Sequence, residues 1–373
     1  TKFSAVLLFP VFGLFTLLFA LTCPQEQQDW RAKLRPAFSN VSRFLFGYAG
    51  IVLICFVIIW IGYALNTLGM PAQKVVEHAD LFLSQPNTPA QVTHDLIVSM
   101  TQSPLLLPYA EYFVGIAKVF SRVAAGNVHY FLGTVSVDAS PWYFPVVFVL
   151  KSTLPFLILL VITMLYGIFR ILSATRRQTM GLPALFARSF QNNITEYLCV
   201  FFILFYSYVS ITGNLTIGFR HLFPILPFLY LLIGKPLADI YKRHHDEPVT
   251  HKLPGIGLGL ILFLVVAVPI LTYPSYLSYF NAIVGGHANG YHYVTDSNYD
   301  WGQDLKYLAK FIDTFNSCKK TGTGPQEVCR LTNLPPIDKI RVDYFGGSSP
   351  ATYLGDKFIP WWESREPEAG WYA

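Results

Sequence analysis

Six stretches of this chain are apolar enough to cross or enter a lipid bilayer: residues 4–22, 44–65, 143–169, 194–213, a shorter one at 222–234, and 255–273. A crossing helix needs roughly 20 mostly apolar residues, because no water is present to satisfy its backbone polar groups. That requirement constrains the fold more than any other feature: the class is an all-α polytopic membrane domain. Composition agrees, since 13% of the residues are charged against about 25% in soluble domains. The formal charge of +5 calls for no nucleic-acid partner, because membrane proteins concentrate Lys and Arg in their cytoplasmic loops.

The loops sort by charge. Loop 23–43 holds Arg31, Lys33, Arg35 and Arg43; loop 170–193 holds Arg170, Arg176, Arg177 and Arg188; loop 235–253 holds Lys235, Lys242, Arg243 and Lys252. The long segment 66–140 carries only Lys74, Lys118 and Arg122. With the basic loops in the cytoplasm, all six spans alternate, and segments 66–140, 214–220 and 274–373 face outward. The chain then reads as a transmembrane domain over 1–273, with the long outer loop 66–140, followed by an extracytoplasmic domain over 274–373. In that last part Trp301, Leu305, Leu308 and Ile312 recur at helical spacing. "KIRVDYF" alternates Ile340, Val342 and Tyr344 like a strand, and "GGSSP" turns it, which predicts a small α/β unit.

Cys318 and Cys329 both fall in the outward part, near enough in sequence to pair where the compartment is oxidising. Cys23, Cys55 and Cys199 lie in or beside the spans. "HHD" at 244–246 lacks further ligand spacing and reads as a solvated turn rather than a metal site. The chain opens at the edge of one hydrophobic run and stops in strand-like sequence, so it reads as an internal part of a longer protein.

Three cations sit where a membrane tolerates few. Lys151 falls inside the 143–169 stretch; it reads either as a Lys snorkelling into the outer leaflet or as a cation set to meet a lipid phosphate. Arg220 and His221 open the 222–234 stretch, whose thirteen apolar residues would make a helix of only about 20 Å. They read as an interfacial anchor or as an anion site, for which the Arg fork is suited. Past the last span, "TDSNYDWGQDLKYL" packs Asp296, Asn298, Asp300, Trp301, Gln303 and Asp304 into nine positions. Asp300 and Gln303 have the spacing of a capping box, with Asp304 as an acid in the first helical turn. The same polar groups beside an aromatic platform also suit a sugar, with hydroxyls at its edge and C–H bonds on its face.

Four stretches together, "PWYFPVVFVLKSTLPF", "LTIGFRHLFPILPFLYLL", "YPSYLSYFNAIVGG" and "DSNYDWGQDLKYL", resemble the bacterial branch of the GT-C membrane glycosyltransferases. These are the phospholipid-carrier-dependent relatives of the protein O-mannosyltransferases and of the aminoarabinose transferase of lipid A. The resemblance spans roughly residues 140–310. It implies a GT-C-like polytopic fold in the bacterial inner (plasma) membrane, with the active site at the outer face. It implies a polyprenyl-phosphate sugar donor, a lipid, glycan or protein acceptor, and inverting hexosyl or pentosyl transfer. Carried onto this chain, Lys151, Arg220 and His221 are expected to bind the donor phosphate. Asp296, Asn298, Asp300, Trp301, Gln303 and Asp304 are expected to bind the sugar or acceptor. The family's catalytic acid lies in the first outer loop, upstream of residue 1, so no catalytic residue is nominated; a divalent metal is left open. The rival readings are a transporter or flippase of lipid-linked precursors, and a structural membrane subunit. A transporter usually shows internal repeats, and none is found.

Overall fold

The computed structural model describes residues 6–22, 30–83, 88–176, 188–245, 253–322, 324–331, 333–344, 347–362 and 365–373. Cys23, Arg177, Asp246 and Lys252 lie outside them. The described chain is mostly helical, with a few short strands. It divides into two compact units, Thr1–Val128 with Ser136–Val268, and His129–Val135 with Pro269–Ala373.

In the first unit, α1 (Leu8–Thr22) packs on α2 (Trp30–Thr67), with Phe19 edge-on to Phe44 at 5.5 Å between ring centroids. Three shorter helices follow, α3 (Ala72–Leu83), α4 (Thr88–Thr101) and α5 (Leu107–Ala125), closed around Val75, Ala79, Ile97, Ala110 and Val114. Next along the chain comes a two-stranded hairpin, β1 (His129–Phe131) and β2 (Thr134–Ser136), most of which falls in the second unit; back in the first unit follow α6 (Tyr143–Lys151), α7 (Leu154–Arg176) and α8 (Ile194–Thr212). A 3-10 helix, Phe219–Ile225, runs into α9 (Leu226–His245), and α10 (Leu253–Thr272) completes the apolar part.

Among the described residues, four helical segments are long and apolar enough to cross a membrane: Val41–Thr67, Ile194–Thr212, Phe219–Asp239 and Gly255–Thr272. Two other expected spans come out differently. The 4–22 stretch gives an apolar helix of 15 residues, about 22 Å long at 1.5 Å per residue. The 143–169 stretch is not one helix, for α6 and α7 meet at 115°. Pro155 accounts for the break. A continuous helix would press its ring against the carbonyl of Lys151, four residues back, and leave that carbonyl without a donor. The chain escapes by placing Ser152 in an extended conformation, and a new helix starts as Leu157 N–H donates to Thr153 O at 3.1 Å.

The 222–234 stretch departs in the other direction. Its apolar helical segment runs over 21 residues, Phe219–Asp239, so the expectation of a span too short to cross does not hold. Two pairings carry the helix past its first charges. Lys235 forms an ion pair with Glu196 of α8 and donates to Asn193 Oδ1 at 3.2 Å. Asp239 accepts from the Tyr166 hydroxyl at 2.9 Å and lies 4.0 Å from Arg170, both on α7. At the other end Pro224 and Pro227 cannot donate backbone hydrogen bonds, and the first turns are 3-10 rather than α.

In the α3–α5 bundle, His94 bonds Asp80 through Nε2 at 2.7 Å and Asp95 through Nδ1 at 3.2 Å. The hydrogen bond to Asp80, then that to Asp95, raises the His94 pKa above its ordinary value. Because the folded pKa is raised, the linkage stabilises the bundle below the unfolded value of about 6.5 and fades as pH rises through the folded one. Both carboxylates are exposed, so the gain is at most about 1 kcal/mol. Amide exchange in α3 and α4, corrected for intrinsic rates, is expected to be slower at about pH 5.5 than at about pH 8. His94→Asn should erase that difference; a difference that survives it would assign the effect elsewhere.

The second unit is built on α11 (Leu305–Thr321), which lays Ile312 and Phe315 against Ile337, Ile340, Val342 and Leu354. Its sheet has the order β4 (Phe358–Pro360), β3 (Ile340–Val342), β5 (Trp371–Tyr372), with β3 parallel to both neighbours. The alternation read over "KIRVDYF" appears as buried Ile340 and Val342 flanking half-buried Arg341. A disulfide joins Cys318 to Cys329, with their Cα atoms 5.3 Å apart. The β1 end of the hairpin belongs to this unit: Leu132 N–H donates to Tyr293 O at 2.9 Å, and the Tyr130 hydroxyl donates to His292 O at 3.1 Å.

Candidate functional site

The three cations singled out in the first unit lie on two elements that pack together. Phe144 of α6 meets the His221 ring at 6.5 Å, and Phe148 of α6 meets Phe219 at 6.3 Å, measured between ring centroids. Lys151 occupies the last turn of α6, where the helix dipole favours a cation, and it is half-buried. Arg220 and His221 are half-buried in the first turn of the 3-10 helix. The chain enters that turn through Gly218 at φ 123°, a backbone geometry that favours glycine.

Between these elements and α7–α9 runs an apolar groove. Phe144 and Phe148 of α6, Leu160 of α7, Ile203 and Ile211 of α8, and Leu222 of the 3-10 helix are among its walls, with Ser207 adding a hydroxyl. Two of the walls, α6 and the 3-10 helix, are the elements that carry Lys151, Arg220 and His221. An apolar slot bounded by cation-bearing elements suits an amphiphile with an anionic head and a hydrocarbon tail.

In the second unit the segment 295–304 differs from its sequence expectation. The capping box at Asp300 and Gln303 does not form, because α11 begins at Leu305 with Asp304 at its N-cap. Gly302 at φ 97° turns the chain before the helix can start. The two polar side chains fold the loop on itself instead. Asp300 Oδ1 accepts from Gly302 N–H at 2.7 Å, and Gln303 Oε1 accepts from Trp301 N–H at 2.8 Å while Gln303 Nε2 donates to Tyr299 O at 2.8 Å. Trp301 is half-buried rather than exposed, with Nε1 donating to Ser297 O at 3.2 Å. Asn298 is 1% exposed and donates to Thr295 O at 3.1 Å.

Asn298, Asp300, Trp301 and Gln303 therefore shape the loop, and exposed Asp296 and Asp304 present carboxylates at its surface. Asp296 sits at φ 57°, a left-handed conformation that Asp tolerates better than most residues. Desolvation first, and the charge of Asp300 second, raise the pKa of Asp304. Below the loop Tyr299 stacks on Phe280 at 5.1 Å, and its hydroxyl donates to His287 O at 2.7 Å.

Sequence reasoning missed Tyr344 as part of this loop. Its hydroxyl accepts from Ser348 N–H at 2.9 Å, and the ring packs directly against Gly302. The signal was the glycine itself, placed between a Trp and a Gln that would otherwise extend a helix. Among the described residues, no group of three or more His, Cys, Asp or Glu side chains is arranged to hold a metal ion. Comparison of the chain with protein-family models, with curated proteins and with solved structures gives no match to any of them.

Proposed function

We propose that this chain is the membrane part of a GT-C-type glycosyltransferase that moves a sugar from a polyprenyl-phosphate carrier to a lipid, glycan or protein acceptor at the outer face of a bacterial inner membrane. One observation carries the reading: the apolar groove is walled by the two elements that bear Lys151, Arg220 and His221. The isoprenoid tail takes the groove, and the cations hold the phosphate as negative charge develops on it in transfer. In the second unit, taken by itself, exposed Asp296 and Asp304 offer hydrogen-bond acceptors for hydroxyls, while Asn298, Asp300, Trp301 and Gln303 keep their loop in shape.

The orientation rests on two supports. Basic residues concentrate in loops 23–43, 170–193 and 235–253, and the Cys318–Cys329 disulfide suits an oxidising compartment. On this reading α1, α2, α7, α8, the Phe219–Asp239 segment and α10 are six crossings, and the second unit is extracytoplasmic. An enzyme reporter that works only outside the cytoplasm is expected to be active when fused after residue 290 and silent when fused near residue 245. The opposite pattern would reverse the orientation and remove the site from the outer face.

The direct test is transfer of a labelled sugar from a polyprenyl-phosphate donor by the full-length protein in membranes. The sharp break between α6 and α7 favours a second reading, because interrupted helices are common at transporter sites. If the lipid-linked sugar changes leaflet with its carrier bond intact and no sugar is transferred, the transporter reading replaces the transferase.

A further inference from the structure

We infer that the turn joining α4 to α5 is inserted in the bilayer, in the leaflet from which the C-terminal end of α2 emerges, and that its partner is lipid rather than water or another protein. The loop charge pattern treated 66–140 as an outer loop without further assignment. The geometry ties one part of it to the spanning helix. Trp60 Nε1 of α2 donates to Leu105 O in the turn at 2.7 Å. The Tyr109 hydroxyl of α5 donates to Phe56 O of α2 at 3.1 Å, and Tyr63 of α2 meets Tyr112 of α5 at 5.4 Å between ring centroids.

The depth of these contacts follows from α2. Its apolar segment is Val41–Thr67, 27 residues, longer than the roughly 20 that cross a hydrocarbon core. Arg43 marks the basic end. Twenty residues counted from Phe44 end at Tyr63, so Trp60 lies about 5 Å inside the far boundary of the core. Leu105, bonded to the Trp60 ring, shares that depth.

The composition of the turn fits it. Between Asp95 and Glu111 the chain has no charged residue. Along that stretch Leu96 is 58% exposed, Leu105 65% and Leu106 39%. In water these leucines would be a cost; at the headgroup–acyl boundary their burial stabilises the turn. The charged residues of α4 stand back from it, since Asp95 precedes the end of the helix at Thr101 by six residues, about 9 Å along the axis. Trp60 and Tyr63, both half-buried on α2 near that boundary, are residue types enriched at a membrane interface.

The experiment uses the full-length protein in proteoliposomes. Leu105→Cys, Leu106→Cys and, as a control from the start of α4, Gln91→Cys are each made with Cys23, Cys55 and Cys199 replaced by Ser, then labelled with an environment-sensitive fluorophore. Labels at 105 and 106 are expected to be quenched at least about twofold more by spin-labelled lipids than by aqueous iodide, with the reverse at 91. Labels at 105 and 106 that behave like the one at 91 overturn the inference. The unmutated protein provides a second arm that no folding defect can confuse. Lipids carrying a photoactivatable group in the acyl chain should label the peptide containing residues 102–107, and absence of that label overturns the inference equally.

Discussion

Arg220→Ala is expected to lower sugar transfer from a polyprenyl-phosphate donor by roughly ten- to a hundredfold on the proposed reading, with expression and membrane insertion near normal. A hydrogen bond to a charged group contributes about 1.5–3 kcal/mol, and each 1.4 kcal/mol or so is a factor of ten. Arg220 sits half-buried in the first turn of the 3-10 helix, beside the wall residue Leu222. A phosphate held there exploits the fork of the guanidinium, which Lys lacks, so Arg220→Lys should restore only part of the rate. An interfacial anchor behaves otherwise: Lys would replace Arg almost fully, and the deficit would show as poor insertion. The measurement is the initial transfer rate normalised to folded protein, with Lys151→Ala run beside it. If Arg220→Ala transfers sugar at the unmutated rate, the phosphate role is wrong and the anchor reading stands.

Gly302→Ala is expected to unfold or displace the 295–304 loop. A Cβ at this position would lie 1.9 Å from the Tyr344 hydroxyl and 3.3 Å from Ser348 Cβ, and the backbone is at φ 97°. The backbone term alone costs on the order of 1–2 kcal/mol. Relieving the clash means moving Tyr344, which gives up the hydrogen bond it accepts from Ser348 N–H, worth about 0.5–1.5 kcal/mol net. Together these make a loss of about 2–3 kcal/mol, a large share of the 5–15 kcal/mol that holds a typical domain together. Thermal unfolding and protease susceptibility of the second unit measure it. Tyr344→Ala opens the space, so Gly302→Ala should cost less in that background than in the native one, and the cycle isolates the clash from the strain. Unchanged unfolding of the single Gly302→Ala variant would show that the close approach is not a constraint on the loop.

What the sequence made legible follows from the range of the forces involved. The apolar runs that became Ile194–Thr212 and Gly255–Thr272 could be read directly, because hydropathy and length are local properties. Pro155 stood in plain view, yet apolar residues on both sides of it hid a sharp change of direction, since composition carries no angle. The 222–234 stretch ends before Lys235, which by its charge reads as part of the basic loop 235–253; the partners that carry the helix on, Glu196 for Lys235 and Arg170 for Asp239, come from other helices, and nothing in the local pattern announces them. In the 295–304 segment the capping box read at Asp300 and Gln303 does not form. A capping-box spacing depends on a helix start that Gly302 moves to Leu305. The groove could not be read at all, because its walls come from elements far apart in the chain.

The charged pairs on α9 also act as a depth stop. Lys235 is matched by Glu196 on α8, and Asp239 by Arg170 and Tyr166 on α7. A slide of α9 by a single turn, about 5.4 Å, would separate both matches at once and leave four charges at the edge of the hydrocarbon. The 3-10 helix is continuous with α9, so whatever fixes one end of that rod also fixes the height of Arg220 at its other end. Residues that never approach a ligand thereby set the level in the membrane at which a lipid headgroup could be met.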